Sequence, residues 1–76
     1  MTNYLMNILV FKTSVTQPRQ INRVQTLLTS MPAVTDWNFD LDDCDNILRV
    51  ISAGLSPRHI EKVLRRAGIG CEELEY

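Results

Sequence analysis

The chain has little of what most protein chemistry requires. Among its 76 residues are two cysteines, Cys44 and Cys71, and a single histidine, His59. Two cysteines outside any Cys-x-x-Cys pair make neither a disulfide framework nor a structural zinc site, so both read as small, partly buried thiols. Three glycines leave no Walker loop, dinucleotide turn or Gly-x-Ser-x-Gly elbow. Neither charge is in excess: the net charge of −1 gives no electrostatic case for nucleic acid, whose binders carry a basic excess or patch. No apolar run approaches the roughly 20 residues that span a bilayer, so membrane insertion is not expected. The residues before the first apolar stretch carry no positive cluster, so no secretory leader is expected and the location expected is cytoplasmic. Without a nucleophile beside a base, no enzyme activity is expected either.

What the chain does contain is an ordered series of hydrophobic patterns, short enough for one domain over residues 1–76. Residues 4–12 are apolar at both parities and rich in β-branched and aromatic side chains, which predicts a strand, central or covered on both sides. Pro18 suits a first helical turn, and Ile21, Val24, Leu27, Leu28 and Met31 make one helical stripe that Pro32 stops. Trp37, Phe39 and Leu41 alternate with Asn38, Asp40 and Asp42, the pattern of a half-buried strand. The polar segment 42–46 predicts a turn, and residues 47–52 predict its hairpin partner. Ser56 and Pro57 begin a second helix with a stripe at Ile60, Val63, Leu64 and Ala67, and Gly68 ends it. Glu61 and Arg65 form an i,i+4 pair. Residues 71–76 predict a short acidic edge strand.

Two helices with one apolar stripe each require one sheet face to cover. The β-α-β-β-α-β order predicts an α+β two-layer sandwich of ferredoxin-like topology, with an antiparallel sheet in the order 4-1-3-2. This topology brings three connections to one end of the molecule: residues 13–17, the hairpin turn at Cys44, and residues 68–71. Cys44 and Cys71 then stand near opposite sheet edges, three strand spacings or roughly 14 Å apart, too far for a disulfide. His59 lies at the other end and reads as a surface histidine.

These residues resemble the heavy-metal-associated domain family, which includes copper chaperones and domains of metal-transporting ATPases. The resemblance rests on the strand–loop–helix start, the helix exit at Met31-Pro32-Ala33-Val34, the alternating strand after it, and the helix end at Arg65-Arg66-Ala67-Gly68. That family binds metal through a Cys-x-x-Cys pair at the first loop and helix start. An ungapped count back from Ala33 puts those ligand positions at Gln17 and Gln20. An amide does not replace the soft thiolate that Cu(I) and Zn(II) sites of this type use. The resemblance therefore implies the fold without the metal site and without a cofactor. The alternative is a divergent metal chaperone or sensor that uses Cys44 or Cys71 across two molecules.

Two further patterns bear on function. The acidic run from Asp40 to Asp45 lacks the Gly and Glu that an EF-hand loop needs at its sixth and twelfth positions, and reads as a solvated turn. If Leu5, Leu9, Phe11, Leu48 and Val50 face the helices, then Met6, Ile8, Val10, Ile47 and Ile51 face away from them. Such an apolar patch on a small domain marks a candidate interface, so a homodimer or a protein partner is expected.

Overall fold

The computed structural model describes residues 6–74. Strands β1 (Met6–Thr13), β2 (Val34–Asp40), β3 (Ile47–Ala53) and β4 (Cys71–Glu73) and helices α1 (Pro18–Thr29) and α2 (Pro57–Arg66) follow in the order β-α-β-β-α-β. The sheet order is β2-β3-β1-β4, and every pairing is antiparallel. Fold class and strand order are as the hydrophobic pattern predicts. Tyr4 and Leu5 of the first expected strand, and the last two residues of the fourth, lie outside the described residues.

Parity on β1 separates core from surface. Leu9 and Phe11 are buried and join Leu48, Val50, Val24, Leu28, Ile60 and Leu64 in one core cluster, whereas Met6 and Ile8 are 44% and 68% exposed. Val34 belongs by simple alternation to the face opposite Trp37 and Phe39. A register shift between Val34 and Asp36 returns it to the core side. The extra residue of such a bulge, here Thr35, resets the alternation, and its hydroxyl donates to the Ile51 carbonyl oxygen at 3.1 Å. Ser52 is fully buried, and its hydroxyl has no partner among the described residues.

Local chemistry fixes the helix ends. Ser56 Oγ accepts the His59 N–H at 3.3 Å and caps α2. At the other end Gly68 takes φ +82°, its N–H donates to Arg65 O, and the Ile69 N–H donates to Leu64 O. These two bonds form a Schellman motif, which needs a residue tolerant of positive φ.

Three expectations change. Ile47 shares the open face by register but is only 5% exposed. Its cross-strand neighbours are Lys12 and Asp40, at the sheet end closed by the hairpin turn, and this placement removes it from the exposed patch. Leu27 lies on the expected stripe of α1 yet stands outside the core cluster. Glu61 does not form the expected ion pair with Arg65; its Oε2 accepts the Glu73 N–H at 2.8 Å and ties α2 to the edge strand β4.

Candidate functional site

The three connections do meet at one end. The Thr13 N–H donates to Asp45 O at 3.1 Å, and its hydroxyl donates to Asn46 O at 2.6 Å, which pins the β2–β3 turn to the end of β1. The Ser14 N–H donates to Gly70 O at 3.0 Å, and the Gly70 N–H donates to Ser14 Oγ at 2.8 Å. A Cβ on Gly70 would lie 3.3 Å from both Ser14 Cβ and Oγ, so the close approach of these two segments favours glycine there.

Gln17 is the N-cap of α1 and Gln20 its third residue. The Gln20 amide turns back over the loop. Its Oε1 accepts the Thr16 N–H at 2.8 Å, the Gln17 N–H at 3.0 Å and the Thr16 hydroxyl at 3.4 Å, while Nε2 reaches Ser14 O at 3.5 Å. The loop is therefore closed by the protein's own side chain. A glutamine three residues past an N-cap is a capping signal present in the sequence, but its span over Ser14, Thr16 and Gln17 depends on the loop's path. The Ser14–Gly70 contact, 56 residues apart in sequence, has no sequence signal.

Both cysteines are free thiols, and the expectation that both are partly buried fails for Cys44, which the hairpin turn leaves exposed. Cys71 begins β4 and points into the core at 3% exposure. Burial, then the nearby Glu61 carboxylate, push its pKa from 9.0 up to about 12, against a smaller opposing effect of Arg65. A thiol held neutral in this way is a poor nucleophile and a poor metal ligand. We expect iodoacetamide at neutral pH to modify Cys44 in the folded protein and Cys71 only after unfolding, as read by mass spectrometry; equal labelling of both in the folded state would refute this placement. The same shift sets a pH dependence. Below pH 9.0 the thiol is neutral whether folded or unfolded. Between pH 9.0 and about 12 only the unfolded chain gives up the proton, so stability falls as pH rises through this window.

Cys44 is exposed in the hairpin turn, between Asp43 and Asp45. The ligand atoms of these three residues lie within 4.8 Å of one another. The turn is organised internally, since Asp43 Oδ1 accepts the Asp45 N–H at 2.8 Å and Asp43 O accepts the Asn46 N–H at 3.0 Å. His59 is exposed at the start of α2, at the opposite end of the molecule.

The open sheet face keeps most of its expected apolar side chains. Ile8 and Ile51 are direct cross-strand partners, with Met6 opposite Ala53 and Val10 opposite Arg49. Charges of both signs border them. Lys12 pairs with Glu72 at 3.5 Å and Arg49 with Asp40 at 3.9 Å, while Asp36 stands beside Ile51.

No family model and no curated protein sequence matches the chain. Solved structures do. The yeast copper transporter domain Ccc2a, determined in apo and Cu(I)-loaded states, matches 90% of this chain and 94% of its own at 20% identity and a TM-score of 0.77. The apo HMA domain of a copper chaperone for superoxide dismutase matches 99% of this chain and 74% of its own at 17% identity, with a TM-score of 0.79. The first domain of the human copper chaperone for SOD1, in its Cu(I)-loaded form, matches 91% and 93% at 17% identity, with a TM-score of 0.74. The strand order, the helix placement and these likenesses agree: the chain has the ferredoxin-like fold of the heavy-metal-associated domains.

Proposed function

We propose that this is a non-catalytic domain of heavy-metal-associated fold that lacks the metal-binding thiols and works by protein contact, through the open face of its sheet. Two observations support the loss of the metal site. Gln17 and Gln20 stand at the loop and helix start where the resembling family carries its thiolates, and the Gln20 amide oxygen is already engaged by loop donors. The observation that carries the contact reading is the exposed apolar surface at Ile8 and Met6, continuous across the sheet with Ile51. Large apolar side chains grouped on one face of a small domain are favourable to cover. The occupant proposed is a second copy of the chain.

Ile51 is half-buried and lies on the face away from the core. The Ile51→Asp variant is expected to keep its circular dichroism spectrum and cooperative unfolding while losing self-association in sedimentation. Unchanged association would rule this face out.

A second reading, metal binding through Cys44, is favoured by the proximity of Asp43, Cys44 and Asp45. Cys71 contributes nothing to it, because its thiol lies in the core. An anaerobic Cu(I) titration of the wild type against Cys44→Ser decides between the readings. On the contact reading the two proteins give the same weak, non-saturating curve; a stoichiometric endpoint lost in Cys44→Ser would establish the metal reading instead.

A further inference from the structure

The charged residues are sorted by layer. The two helices hold Arg19, Arg23, Arg58, Lys62, Arg65 and Arg66 against one acid, Glu61, whose carboxylate accepts from Glu73. The described strands and hairpin turn hold seven acids against Lys12 and Arg49, and both of those cations are paired locally. Among the described residues, none of the six helical cations is in an ion pair. A net charge of −1 thus conceals a positive layer and a negative one. On α1, Arg19, Asn22, Arg23, Thr26 and Leu27 line an open recess, and Leu27 is half-buried there and stands outside the core cluster. The open sheet face is its counterpart: Ile8, Met6 and Ile51 beside Asp36, with the Arg49–Asp40 and Lys12–Glu72 pairs at its margins and Asp42, Asp43 and Asp45 in the adjoining turn.

We infer that the open sheet face is covered by the α1 face of a second copy, in a head-to-tail contact. This rests on the open-face reading above and adds what covers that face. Sheet faces are stably covered by helices, as the other face of this sheet already is. Leu27 of one copy meets Ile8 and Ile51 of the next, and Arg19 and Arg23 meet Asp36 and the carboxylates of the turn. A face-to-face dimer would instead leave Asp36 and the turn carboxylates of both copies without a cationic partner, because Lys12 and Arg49 are already paired within each chain, and so would gain no charge complementarity. Because the two contacting surfaces differ, each added copy leaves one of each free, and association builds short chains rather than stopping at two.

Sedimentation velocity at two salt concentrations tests the charge component. Wild type is expected to grow in mass with concentration at about 0.01 M salt, where the Debye length is roughly 30 Å, and to weaken at about 0.15 M, where it is roughly 8 Å. Arg19→Glu combined with Arg23→Glu should weaken association by about tenfold or more while leaving the fold intact, since both side chains are surface groups. The decisive sample is a mixture. The arginine variant retains a working sheet face and Ile51→Asp retains a working α1 face, so together they should form a 1:1 complex that grows no further. If the arginine variant associates like wild type while Ile51→Asp does not, the open face stands and α1 is not its partner, which overturns this inference alone. If Ile51→Asp also associates like wild type, the open-face reading falls as well. A wild type that stays monomeric at both salt concentrations overturns both.

Discussion

Replacing Gln17 and Gln20 together by cysteine is expected to create one tight Cu(I) or Zn(II) site per chain, and the wild type is expected to bind neither metal at that loop. The two positions are the N-cap and third residue of α1, so they share the first helical turn. The positive end of the helix stabilises thiolate over thiol there, and two thiolates supply the soft donors that these metals select. The substitution also removes the Gln20 amide that closes the loop, which should cost the metal-free variant about 1 kcal/mol, the usual scale for a lost cap. Metal binding returns that loss, because a ligand that binds only the folded state raises its stability. The measurement is an anaerobic titration of Gln17→Cys/Gln20→Cys, followed by thiolate-to-metal absorbance and native mass spectrometry, with wild type and Gln20→Ala as controls. The Gln20→Ala control should lose the cap's stability and gain no metal. If the double variant binds no more tightly than wild type, then these residues do not occupy the family's ligand positions, and the account of a lost metal site fails with them.

The second large effect concerns the strand that divides core from surface. Phe11 is fully buried and Ile8, three residues earlier on β1, is 68% exposed. Phe11→Ala removes a large core side chain and leaves a cavity, at a cost of about 3–5 kcal/mol. A domain of this size has a total stability of about the same magnitude, so the variant should be largely unfolded at room temperature. Ile8→Ala touches no core contact and should change stability by less than about 1 kcal/mol. Urea denaturation followed by circular dichroism measures both. Comparable losses in the two variants would mean that the open face is buried in the free protein, and the contact surface would have to be sought elsewhere.

The elements were legible because their signals are local. Period 2 near Trp37 and Phe39, period 3.6 from Ile21 to Leu28, and the pairs Ser56-Pro57 and Ala67-Gly68 each state their structure within a few residues. Ile47 was misplaced because alternation reports which face a side chain takes and not what stands beside it there. Leu27 was misplaced for the related reason that a helical stripe is wider than the line of contact a sheet offers. Glu61 shows competition: an i,i+4 partner on an exposed helix is worth a few tenths of a kcal/mol, and the N–H of an edge strand is a better partner for its carboxylate.

The candidate site was legible in only one respect. The lack of thiolates at Gln17 and Gln20 is a matter of residue type, and the sequence states it outright. That Gln20 fills its position as a clamp on Thr16, Gln17 and Ser14 depends on the path of the loop. The burial of Cys71 likewise depends on which face of β4 meets α2. The sorting of charge between the layers could not be read from a net charge of −1, because a sum carries no positions.

By itself, then, the sequence determined the number and order of the elements, the strand pairing they allow, and the absence of a thiol at Gln17 and Gln20, since periodicity, capping and residue chemistry act over a few residues. Only the tertiary structure decided which apolar side chains remain exposed, which thiol is withdrawn from reaction, and how the charges are divided between the helix and sheet layers. Those depend on contacts between residues far apart in the chain, which no local pattern encodes.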